Sequence, residues 1–82
     1  MRLRWDKGGE AEVTQLSGDA VTVVSTIPSP PGSRLSDKSL SLTVKVHTSR
    51  KQPDGSFLIA GRLVDVTREV RAKIIDALAT TR

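Results

Sequence analysis

The chain changes its hydrophobic period once, at Val66-Thr67, and that single change limits the folds open to it. Before it, apolar residues recur at every second position in short runs. After it, Val70, Ile74, Ala77 and Leu78 recur at helical spacing, with Arg68, Glu69, Arg71, Lys73 and Asp76 mostly elsewhere. The stretch Gly55-Ser56-Phe57-Leu58-Ile59-Ala60-Gly61-Arg62-Leu63-Val64-Asp65-Val66 therefore reads as a long strand that hands over to a helix with no loop between them. Thr67 offers a hydroxyl to the free amides of the first turn, and Glu69 lies near the positive end of the helix dipole. A helix this short is not stable alone in water, so its apolar face is expected to dock across the open mouth of a barrel.

Upstream, Arg2-Leu3-Arg4-Trp5 alternates, and its phase puts Leu3 and Trp5 on one face. Trp5 is thus expected as a plug under the barrel rather than an exposed stacking platform. Asp6-Lys7-Gly8-Gly9 carries turn chemistry, Glu10 to Leu16 alternates again, and Ser17-Gly18-Asp19 supplies a tight turn into the β-branched strand Ala20 to Ser25. Ile27 to Lys38 contains Pro28, Pro30, Pro31 and Gly32, which predicts a loop crossing between strand pairs. Leu40 to Val46 is the cleanest period-2 segment, and Gln52-Pro53-Asp54-Gly55 turns it back into the strand from Ser56 to Val66. Short antiparallel strands followed by one helix predict an all-β fold with a C-terminal helix. The expected form is a small barrel of five to six strands, because closure removes exposed edges. One domain is expected over 1–82, with the barrel at 2–66 and the helix at 67–79.

Eighty-two residues suit one modest core, and with one Trp, one Phe and no Tyr that core must be aliphatic. Cysteine is absent, which excludes disulfides and thiolate metal sites and fits a cytoplasmic protein. No apolar run approaches the roughly 20 residues of a membrane span, and Met1 to Trp5 lacks the apolar core of a signal peptide. Thirteen Lys and Arg against nine Asp and Glu give a formal charge of +4, which raises the chance of an anionic partner, though charge alone favours an ordinary soluble basic domain. Arg34, Lys38, Lys45, Arg50, Lys51 and Arg62 are candidates for a basic surface. No catalytic constellation accompanies them. His47 has no second histidine or cysteine for a metal site, Ser17 has no base near it in sequence, and Asp65 is placed to face the free amides near Thr67. The expectation is a non-enzymatic protein without metal or cofactor.

Pro30-Pro31-Gly32-Ser33-Arg34-Leu35 before an alternating strand, then a turn, Phe57 to Thr67 and a helix, resembles the C-terminal half of a PilZ domain. The resemblance covers roughly residues 10 to 78, and it rests on the order of elements and the strand-to-helix junction. It implies a small β-barrel that acts as a receptor for cyclic di-GMP. In that family two arginines four positions apart precede the first barrel strand and meet phosphate and guanine. An Asp or Asn, any residue, Ser, two residues and Gly then bind a guanine edge from a hairpin.

Set against those motifs, Gln15-Leu16-Ser17-Gly18-Asp19-Ala20 keeps Ser17, replaces the acidic or amide residue by Gln15 and replaces the glycine by Ala20. Arg2-Leu3-Arg4 has the wrong spacing for the arginine pair. Gln15 and Ser17 are the candidate ligand residues that the resemblance implies, and Arg2, Arg4 and Arg62 are candidate anion contacts. The implied function is a signalling or adaptor domain with weak or lost cyclic di-GMP binding, working through a protein partner in a bacterial motility, type IV pilus or signalling system. A functional cyclic di-GMP receptor is the alternative. A basic barrel for single-stranded nucleic acid is a further one, disfavoured because aromatic platforms are scarce. Self-association is left open.

Overall fold

The computed structural model describes residues 1–37 and 40–80, and among them it holds six strands and one helix. The strands are β1 (Arg2–Arg4), β2 (Glu10–Ser17), β3 (Ala20–Ser25), β4 (Arg34–Asp37), β5 (Leu42–Lys51) and β6 (Phe57–Val64), followed by α1 (Arg68–Thr80). All pairings are antiparallel, in the order β1-β2-β3-β6-β5-β4. The two outer strands come back together. The Asp6 amide donates to the Ser36 carbonyl at 2.9 Å, and the Arg4 amide donates to Asp37 Oδ2 at 2.8 Å. The sheet is therefore a nearly closed barrel with a C-terminal helix, as the alternation predicts.

Period-2 alternation sorts the side chains. Leu3, Val13, Val23, Leu35, Val44 and Ile59 point inward and are almost fully buried, joined by Val70 and Ile74 from α1. Trp5 is 4% exposed and plugs this core. Its indole N–H donates to Ser25 Oγ at 3.0 Å, and the same buried oxygen accepts from the Ile27 amide at 3.2 Å. Pairing the polar end of a buried Trp removes a desolvation cost of about 1–3 kcal/mol. Thr67 caps the helix as expected, its Oγ1 accepting from the Val70 amide at 3.2 Å.

Three local expectations are corrected. The proline-rich segment is not loop throughout, because Arg34–Asp37 pairs with β5 as an edge strand, where the missing ladder partner on one side tolerates nearby prolines. Ahead of it, the Gly32 amide donates to the Val46 carbonyl at 2.7 Å, which carries the pairing back to the end of the prolines. The strand expected at 40–46 is β5, Leu42–Lys51, and it continues past Val46 through an irregularity that hides its period. Finally, strand and helix are not contiguous: β6 ends at Val64, and Asp65, Val66 and Thr67 make the turn, with Asp65 at φ 51°. Asp65 thus contributes a left-handed backbone step, and the capping oxygen is that of Thr67.

Candidate functional site

The β2–β3 turn closes the segment Gln15 to Ala20, and it is bound by the chain itself. Ser17 pairs with Ala20, and Gly18 takes φ 59° at the first turn position, a conformation glycine adopts without strain. The Asp19 carboxylate forms an ion pair with Arg71 of α1, whose Nη1 also donates to the Gly18 carbonyl at 3.1 Å. Arg62 of β6 approaches the other Asp19 oxygen at 3.8 Å, and the Leu63 amide donates to the Asp19 carbonyl at 2.8 Å. The turn is a latch that holds the helix to the barrel.

The sequence candidates separate into two places. Gln15 and Ser17 are exposed on β2, and Arg62 stands directly opposite Ala20, beside the turn. Arg2 and Arg4 lie at the far end of β2, opposite Glu12 and Glu10, where Arg2 Nη1 is 3.3 Å from Glu10 Oε1. Neither arginine shares a site with Gln15 and Ser17. His47 is exposed at the irregularity in β5.

A second feature was not visible as a motif. Gln15, Thr22, Ala60 and Thr48 are successive cross-strand partners, so they form one row on the outer face of β2, β3, β6 and β5. The register slips beside both ends of that row, between Val13 and Gln15 and between Val46 and Thr48. Each slip adds one residue, Thr14 or His47, and bends its strand locally. Between the bends lies a groove of about 520 Å³ lined by Gln15, Thr22, Thr48, Ser49, Arg50, Leu58 and Ala60. Its groups are hydroxyls, an amide, small apolar surface and one guanidinium, with no carboxylate or imidazole among them. Such a lining binds and orients; it holds no acid–base pair.

Beside the groove the sheet is strongly cationic. Strands β4, β5 and β6 carry Arg34, Lys45, Arg50, Lys51 and Arg62, and their one carboxylate, Asp37, is turned inward and 3% exposed. Arg34 stands opposite Lys45, and Lys45 opposite Arg62, so three exposed cations are cross-strand neighbours. Arg34 and Lys45 have no ion pair among the described residues. Sequence reasoning named these residues but could not join them, because β4 was hidden in the proline segment. Lys38, named with them, lies outside the described residues.

The Asp54 carboxylate serves local structure. In the β5–β6 turn the Ser56 hydroxyl and amide donate to Asp54 Oδ1 at 2.6 and 2.9 Å, and these bonds hold its carboxyl below the usual range. Among the described residues no three His, Asp or Glu side chains gather as a metal site, and no helix is long and apolar enough to cross a membrane. No protein-family model, curated protein or solved structure matches the chain.

Proposed function

We propose that this chain is a non-enzymatic, PilZ-like signalling or adaptor domain that works through protein contacts and binds cyclic di-GMP weakly or not at all. The observation that carries this reading is the latch at the β2–β3 turn: the hairpin that would meet a guanine edge is engaged by Arg71 and Arg62 through Asp19. Ala20 adds a methyl where the family pattern has glycine, and Arg2 and Arg4 stand at the opposite end of β2. Each charge-assisted bond to phosphate or guanine contributes about 1.5–3 kcal/mol, so the loss of two arginines weakens binding by about two to four orders of magnitude. A bacterial motility, type IV pilus or signalling assembly is the setting that the PilZ resemblance implies.

A receptor that retains cyclic di-GMP binding is the second reading, favoured by Gln15 and Arg50 lining the same groove. Calorimetric titration with cyclic di-GMP separates the two. The adaptor reading expects no saturable heat at micromolar ligand; saturation near about 1 μM, some −8 kcal/mol, would sink it.

A further inference from the structure

We propose that the outer face of β4, β5 and β6 is a docking surface for an acidic segment of a partner protein. Carboxylates of that segment meet Arg34, Lys45 and Arg62, and an apolar side chain enters the groove over Thr22, Ala60 and Leu58. This rests on the adaptor reading and specifies the chemistry of the contact.

The cationic row is costly in the free protein. Like charges directly opposite across strands destabilise a sheet, and here Lys45 is set between two arginines on neighbouring strands about 5 Å away on each side. Asp19, beside one end of the row, is already engaged by Arg71 and lies 3.8 Å from Arg62, and among the described residues neither Arg34 nor Lys45 has an ion pair. A partner that brings carboxylates relieves this repulsion.

The order of chemistry along the face narrows the partner further. Moving along β5 and β6 from the cationic row, the next row is the small floor of Thr48, Ala60 and Thr22. Beyond it come Arg50, Leu58 and Val24, again direct cross-strand partners, with Leu58 and Val24 half-buried. Cations therefore stand on both sides of a shallow groove with an apolar flank. That pattern is complementary to an extended peptide carrying acidic residues on either side of an apolar one. A nucleic acid strand would need aromatic platforms on this face. Trp5 is instead in the core, and Phe57 lines a separate hollow with Pro28, Pro30 and Pro31. A membrane surface would need exposed apolar anchors, but the large apolar side chain most open to solvent, Ile75, is on α1.

The test is fluorescence anisotropy of the full chain with a short labelled peptide of Asp, Glu and Leu, beside a counterpart with Lys in place of the acids, oligo(dT), and phosphatidylserine vesicles. Saturable binding of the acidic peptide alone is expected, weakening as salt rises from about 0.05 to 0.2 M. The combined Arg34→Ser, Lys45→Thr and Arg62→Ser variant should lose about tenfold in affinity, from three exposed charge pairs. Lys73→Ser, which removes one charge from α1, should leave it unchanged. Lys45→Thr should also raise the low-salt Tm by a few degrees, since it removes a like-charge neighbour. The proposal fails if the acidic peptide does not saturate, if the combined variant binds it as well, or if Lys45→Thr lowers the Tm. It fails equally if oligo(dT) or vesicles bind through these three residues and the peptide does not. A null peptide result together with a null cyclic di-GMP titration overturns this surface and leaves the adaptor reading standing; saturable cyclic di-GMP binding overturns the adaptor reading, whatever the peptide does.

Discussion

At Gly61 an added Cβ would lie 2.2 Å from the Lys45 carbonyl oxygen and 3.1 Å from Val44 Cγ1. The backbone of β5 thus crosses β6 at a separation that only glycine allows, next to the irregularity at His47. Gly61→Ala must push β5 away, and it should cost about 1–3 kcal/mol, seen as a lower urea midpoint with an unchanged slope. The sequence shows a glycine inside a strand but not the carbonyl it makes room for, so this role was not legible. Trp5 was legible, because Leu3 fixes the phase of the first strand and burial follows from that phase. Asp37 was not: a charged residue at the end of a proline-rich segment looks solvated, and only the return of β1 to β4 turns its carboxylate into an acceptor for the Arg4 amide.

The elements divide in the same way. The helix and its Thr67 cap could be placed because apolar spacing and capping are local properties. The β2–β3 hairpin could be placed because Gly18 marks its turn. Missed were β4, too short at Arg34–Asp37 to establish a period, and the two one-residue slips, which flip the alternation without any compositional sign. The groove depends on those slips, so it was invisible even though Gln15 had been singled out. How α1 attaches was also out of reach, since Arg71 and Asp19 are far apart in sequence. Arg71→Ala removes a partly exposed ion pair and the bond to the Gly18 carbonyl, and should cost about 1–2 kcal/mol. Thermal unfolding would show it as a Tm lower by several degrees; an unchanged Tm would mean that the apolar contacts of Val70 and Ile74 hold the helix unaided.

For the whole molecule the seam between β1 and β4 is the place where the barrel is least redundantly held. Elsewhere neighbouring strands share runs of paired residues, whereas among the described residues the bonds across this seam include the Asp6–Ser36 backbone bond and the Asp37 carboxylate. Asp37 also accepts from the Leu40 amide at 3.3 Å, so one side chain ties two segments. Asp37→Ala leaves the Arg4 amide without its acceptor and should cost about 1–3 kcal/mol. Hydrogen exchange should then speed up at Arg4 and Asp6 before it does in β3 or β6; uniform protection across the sheet would contradict that role. Cations crowd on β4 to β6, whereas Glu10 and Glu12 face Arg4 and Arg2 and α1 sets Glu69 and Asp76 among Arg68, Arg71 and Lys73, and this uneven spread has a consequence at longer range. The molecule carries an electric dipole as well as a net charge, so in the field of an anionic surface it turns before it touches, and most encounters begin with the same face forward.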